Sequence, residues 1–164
     1  MTRKDAGTAL LSVVYSSTAV VPFGDDDLFE LLEHSRENNA RDGLTGMLLY
    51  RDERFLQVLE GPEEAVRRRV EVIRDDARHT RFWVLIEELS DARHFPDWTM
   101  GFPAHSAPEA VPGYLASFAS ADAADAAGAA DADADAEADT EAEADAEAAL
   151  RQLIGFFEDP ANRR

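Results

Sequence analysis

Apolar positions along the chain fall into short runs with two different periods. From Ala9 to Tyr15 a continuous run rich in β-branched residues predicts a buried strand, ended by the turn-like Ser16-Ser17 and then Pro22 and Gly24. Asp25 to Asp27 can cap and charge a helix N-terminus, and Leu28, Leu31, Leu32 and Ser35 recur at helical spacing to give that helix one inward face. Asn38-Asn39 tolerate a left-handed C-terminal position and mark its expected end. Leu44 to Tyr50 and Phe55 to Glu60 predict two strands, and the short polar connection Arg51-Asp52-Glu53-Arg54 makes them a hairpin. Gly61-Pro62-Glu63-Glu64 opens a second helix with Val66, Val70 and Ile73 as its buried stripe and Arg67, Arg68 and Arg69 as its wet side. Phe82 to Ile86 predicts a fourth strand. Trp98 to Phe102 predicts a fifth, with Trp98, Met100 and Phe102 on one face by the two-residue period.

The order β-α-β-β-α-β with an added fifth strand is the α+β, ferredoxin-like arrangement, in which two helices cover one face of a mixed sheet. The other face needs a cover. Leu150, Leu153, Ile154 and Phe157 form a stripe at i, i+3, i+4, i+7 that could supply it, on this sheet or on a partner. The expected organisation is a domain over residues 7–105, a linker over 106–120, an acidic spacer over 121–149 and an amphipathic helix over 150–158.

Charge separates the spacer from the rest. The formal net charge is −18, and the Ala/Asp/Glu tract between Ala121 and Ala149 contains no basic residue. With like charges on alternate positions and no apolar stripe, it predicts a mobile, partly helical segment. The overall acidity repels phosphate backbones and anionic lipid, so neither nucleic acid nor membrane is an expected partner. Hydrophobic residues make up 45% of the chain, yet no run reaches the roughly 18 apolar residues of a membrane span. The start, Met1 to Ala6, leads into an apolar run interrupted by Ser12 and Tyr15 with no small-residue cleavage signature, so no signal peptide is read and the expected compartment is the cytoplasm.

The chain has no cysteine, which removes disulfides, thiolate metal sites, iron–sulfur clusters and cysteine nucleophiles. There is no G-x-G-x-x-G, no phosphate loop, no G-x-S-x-G turn and no metal-spaced cluster; His34, His79, His94 and His105 are scattered. What stands out is a polar residue at a core position. In Phe55-Leu56-Gln57-Val58-Leu59, alternation puts Gln57 on the face of Phe55 and Leu59. A buried amide left without partners costs about 1–3 kcal/mol, so something polar must lie against it. Tyr15 is the candidate, because the first and third strands of such a sheet are neighbours.

The linked runs Val14-Tyr15-Ser16-Ser17, Asn38-Asn39-Ala40-Arg41, Leu44-Thr45-Gly46, Phe55-Leu56-Gln57-Val58-Leu59-Glu60-Gly61, Asp76-Ala77-Arg78-His79 and Trp98-Thr99-Met100 resemble the BLUF family of blue-light-sensing flavin domains. The match covers about residues 9 to 103. The resemblance implies a blue-light photoreceptor that signals and is not an enzyme, holding a non-covalent flavin between the two helices, usually FAD, with FMN or riboflavin as alternatives. A cysteinyl–flavin adduct is excluded, since no cysteine is present. It implies that Tyr15 donates an electron and a proton and that Gln57 is the amide that rotates or tautomerises. It implies that Asn39 binds the pyrimidine edge of the ring with Asn38 and Arg41 as neighbours. Asp76, Arg78 and His79 are then contacts near the ribityl and phosphate end, and Trp98 and Met100 lie on a switch strand. The sequence departs from some members at Asn38, where they carry histidine, and at Val72, where they carry a basic residue. A downstream protein partner and a homodimer are expected in addition. The alternatives are a ferredoxin-like hydrolase of the acylphosphatase type and a flavin-free interaction module. The hydrolase would favour a glycine that Ser16-Ser17-Thr18-Ala19 lacks, and the module would leave Tyr15 and Gln57 purely structural.

Overall fold

The computed structural model describes residues 9–102, 144, 147–156 and 159. The elements run β1 (Leu10–Ala19), α1 (Asp25–Asp42), β2 (Thr45–Arg51), β3 (Arg54–Pro62), α2 (Glu63–Arg74) and β4 (His79–Ser90), followed by a helix α3 over residues 147–156. The four strands make one sheet in the order β2-β3-β1-β4. Every strand pair is antiparallel, so the expected mixed character survives only in a single parallel bridge between Met47 and Gly101.

Strand alternation divides the core between the two faces. Leu11, Val13, Tyr15, Leu48, Phe55 and Leu59 pack with Leu32 of α1 and Val66 and Val70 of α2. Val14, Met47, Leu49, Leu56 and Val58 point the other way and pack with Phe95 and with Leu150, Leu153 and Ile154 of α3. The amphipathic C-terminal stripe therefore covers this chain's own sheet. Phe157 and most of the acidic tract lie outside the described residues. The helix takes in residues 147–149, which the sequence reading placed in the spacer.

Helix α1 runs one turn past its expected end at Asn38-Asn39. Gly43 takes the left-handed conformation (φ 72°) and its backbone N–H returns to the Asn39 carbonyl, so the turn-forming role falls to glycine and frees both asparagine side chains for the site. The β2–β3 connection is tighter than expected. Asp52 and Glu53 both have positive φ, at 48° and 66°, the pattern of a two-residue turn whose twist matches that of the strands. β4 is longer than the expected Phe82–Ile86, and its pairing with β1 shifts register between Val14 and Tyr15 and again between Ser16 and Thr18. These irregularities flank Tyr15 and re-aim the side chains there.

The fifth strand is corrected. Residues 93–102 instead form an irregular strap around the β2 edge, held where Gly46 N–H donates to Trp98 O (2.8 Å) and Leu48 N–H to Gly101 O (2.7 Å). Two-residue alternation does not operate in such a segment. Met100 and Phe102 join the helix-covered core while Trp98 stacks on Phe95 (5.8 Å between ring centroids) on the opposite side, so the three residues do not share a face.

Candidate functional site

Between α1, α2 and the sheet lies a cleft of about 170 Å³. Its floor is β1 and β3, where Tyr15 and Gln57 are directly opposed in the ladder. Both are buried, and the Tyr15 hydroxyl donates a hydrogen bond to Gln57 Oε1. The other end of the amide, Nε2, donates to the thioether of Met100 at 3.4 Å. Tyr15 stacks on Phe82 with centroids 4.4 Å apart. Burial, with a smaller contribution from the charge on Asp76, pushes its phenol far above the ordinary range, so the hydroxyl is a fixed donor at any physiological pH.

Helix α1 contributes Asn38 and Asn39 at one end of the cleft. Asn39 is buried and donates from Nδ2 to Thr99 O at 2.7 Å, which ties the strap to the helix. Arg36 adds a second tie, Nε to Met100 O at 3.0 Å. Arg41 does not line the cleft; it is exposed and donates to Asn38 Oδ1 at 2.8 Å, which orients that amide. The turn after α2 contributes Asp76, Arg78 and His79. Arg78 grips Asp76 through Nε (3.0 Å) and Nη2 (2.7 Å), and this holds the Asp76 carboxyl down at about 2. His79 is the first residue of β4 rather than a helix terminus, and its Nε2 reaches back to the Ile73 carbonyl in the last turn of α2.

The sequence-derived candidates Tyr15, Gln57, Asn38, Asn39, Asp76, Arg78 and His79 stand around one cavity, whereas Met100 and Trp98, expected on one face, part: Met100 touches Gln57 and Trp98 lies on the far side of the sheet. The sequence reading had Leu31 facing inward and Phe55 on the face of Gln57 but did not assign them to the cavity wall, and it missed Phe23, Ser17 and Arg69. Arg69 was legible. Val66, Arg69, Val70 and Ile73 stand at i, i+3, i+4, i+7, so Arg69 sits inside the buried stripe of α2 and not on its wet side.

The cleft suits a flat aromatic ring with one polar edge. Its walls are apolar and aromatic, amides gather at one end, and a cation–carboxylate pair stands at the other. The Ser17 hydroxyl, two residues from Tyr15 on the same strand face, is buried beside the cleft with no hydrogen-bond partner among the described residues. A buried hydroxyl without an acceptor or donor is costly, and a ligand with polar edges would satisfy it. Among the described residues no group of histidine and acidic side chains could hold a metal ion, and no helix is long and apolar enough to cross a membrane.

The family model for sensors of blue light using FAD matches residues 10–101. The photoactivated adenylate cyclase subunit beta of Euglena gracilis is 34% identical over 94 residues, 57% of this chain and 11% of that protein. The blue light- and temperature-regulated antirepressor BluF of Escherichia coli (strain K12) is 35% identical over 66 residues, 40% of this chain and 16% of that protein. The chain therefore spans only a small part of the length of these curated relatives. Among solved structures, the dark state of BlrB, a BLUF protein, is similar with a TM-score of 0.63 at 31% identity, covering 73% of this chain and 91% of that one. The photo-activated state of BlsA gives 0.58 at 30% identity, covering 65% and 77%. With the family model spanning more than half of its length, this chain belongs to the BLUF family of blue-light sensors that use a flavin.

Proposed function

We propose that light is read in this chain by the Tyr15–Gln57 pair and passed through Met100 to the strap over residues 93–102. A bound flavin supplies the blue absorption and an excited state that accepts an electron and a proton. Tyr15 would be the donor of both: its hydroxyl lies on the cleft floor, and burial disfavours the phenolate, so the proton is held while the electron remains. Gln57 is poised to change. Its oxygen accepts from Tyr15, while among the described residues its nitrogen has only a soft sulfur acceptor, so turning the amide over gives up the Tyr15 bond and a weak contact at Met100 and leaves the phenol to accept from Nε2. Asn38 and Asn39 would hold the pyrimidine edge, and Asp76, Arg78 and His79 would serve the side chain of the flavin. Arg78 gives that end of the cleft a cation that would suit a phosphate, which FAD and FMN carry and riboflavin lacks.

The observation that carries this reading is the opposed, buried Tyr15–Gln57 pair on the cleft floor. The chain acts as a sensor and hands its state to a protein effector or to a second copy of itself; the similarity to cyclase subunits extends over a tenth of their length and brings no cyclase chemistry with it. Blue illumination of the purified chain tests the reading. A small, dark-reversible red shift of the flavin absorption is expected, and bleaching to a persistently reduced flavin would reject it.

A further inference from the structure

The α2 wall of the cleft is made by Arg69, Val72 and Ile73, and Arg69 is its one cation. Val72, where some family members place a basic residue, is apolar and 60% exposed. Arg69 stands one helical turn earlier, with a side chain only 15% exposed, and its Nη2 donates to Asp42 Oδ2 at 2.5 Å. Asp42 is the last residue of α1 and follows Asn38 and Asn39 by four and three positions, on the same side of that helix. The guanidinium is therefore held at the end of the cleft where the two asparagines stand. Its Nε–H is buried and meets no acceptor among the described residues.

A guanidinium offers five donors in a fixed fork, and a buried one without acceptors is costly. A single carboxylate at one nitrogen leaves the others to be satisfied. The ligand edge expected at this end carries carbonyl oxygens, which are the acceptors the fork lacks. From this placement we propose that Arg69 is the cationic donor to the carbonyl of the flavin's pyrimidine edge, doing from one turn away what Val72 cannot, with Asp42 as the positioning residue that aims it. This rests on the flavin reading above.

The test uses riboflavin, which carries the whole ring and no phosphate, on the full chain. Arg69→Met is expected to weaken riboflavin binding about tenfold, the range for losing one charge-assisted hydrogen bond. It is also expected to raise the stretching frequency of one pyrimidine carbonyl, followed by infrared difference spectra with riboflavin carrying carbon-13 at C2 or at C4. Arg69→Gln, a polar replacement that spares the helix, should move the band in the same direction should Arg69→Met not fold. Asp42→Asn should lower affinity while leaving the band near its original place. An unchanged band and affinity in a folded Arg69 variant would overturn the proposal, and so would an Asp42→Asn band displaced as far as that of Arg69→Met, since the arginine would then serve only as a tie between helices. A chain that takes up neither riboflavin nor FAD would overturn the flavin reading itself, before either variant is made.

Discussion

Tyr15 and Gln57 occupy directly opposed positions of the β1–β3 ladder, and the phenol donates to the amide oxygen across it. Tyr15→Phe keeps the ring and its stacking on Phe82 but leaves the amide oxygen without its donor. That costs about 1–3 kcal/mol of stability, and flavin should still bind. Gln57→Leu conserves volume and removes the switchable amide. Both variants are expected to be yellow and to lack the light-induced red shift, read by absorption before and after blue illumination. A normal photocycle in either one removes that residue from the mechanism.

The pH dependence follows from two groups of opposite sense. The Tyr15 phenol is held protonated in the folded chain by burial first and by Asp76 second, so its contribution to stability is intact below the ordinary value of 10.0 and is lost as pH rises above it. Asp76 is held down at about 2, chiefly by Arg78, so its contribution is present above the ordinary 3.8 and is lost as pH falls toward 2. Denaturant midpoints measured across pH should fall faster above pH 10 in the native chain than in Tyr15→Phe. They should also fall faster below pH 4 than in Asp76→Asn. Parallel curves would remove those groups from the titration.

Much of this site could be read from periodicity, and its failures have physical causes. Gln57 announced itself because strand alternation is strict and an amide on a core face demands a partner. Arg69 went unread because a run of three arginines invites the solvent-face assignment, although its place in the 66, 69, 70, 73 stripe said otherwise. Trp98 to Phe102, part of the strap over residues 93–102, was misread as a strand because Trp98, Met100 and Phe102 have the right spacing. What decides its path is tertiary: Asn39 and Arg36 capture its carbonyls, and Glu60 captures its amides. None of those long-range pairings leaves a periodic trace.

Glu60 anchors the strap. It is buried, and its carboxylate accepts from His94 N at 3.0 Å and from Phe95 N at 2.5 Å. Burial raises its pKa and these two backbone donors oppose the rise, so the carboxylate weighs on stability at neutral pH and is relieved as pH falls toward its ordinary 4.5. Glu60→Ala strands two backbone donors and is expected to cost about 2–3 kcal/mol and to speed proteolysis within residues 93–102. Glu60→Gln keeps an acceptor and should flatten the pH dependence of stability between pH 4.5 and 7. Protease sensitivity of the strap unchanged by Glu60→Ala would dispose of the anchoring role.

Transmission through the strap can be separated from the primary event. Met100 touches Gln57 on one side of the sheet edge, and two residues earlier Trp98 stacks on Phe95 on the other. Gly101 permits this crossing, because a Cβ there would collide with the Trp98 indole. Met100→Ala should retain the red shift yet reduce the light–dark difference in proteolysis, and Gly101→Ala should displace Trp98 and do the same with the flavin still bound. An undiminished light–dark difference in both would demote the strap to plain core.

The last prediction concerns α3, which lies across the sheet from the cleft. Leu150 and Leu153 are each 1% exposed and Ile154 is 7% exposed, packed on Val14, Met47, Leu49 and Val58. The ion pair of Arg151 with Glu88 (2.9 Å) and the one with Glu147 (2.6 Å) sit at the solvent edge, where such pairs contribute little. Apolar burial therefore holds this helix, and Leu153→Ala should cost about 2–4 kcal/mol while Arg151→Ala costs less than about 1. Deleting residues 121–164 uncovers an apolar sheet face, so the truncated chain should self-associate or lose solubility. Its cleft is lined by residues of the other face, by Phe23 of the β1–α1 connection and by α1, α2 and the turn after α2, with none from α3, so riboflavin affinity and the red shift should persist. Sedimentation together with flavin titration distinguishes the two effects: a soluble, folded truncation that no longer holds flavin would mean that α3 shapes the cleft through the sheet, and the separation of sensor face from helix face would fail.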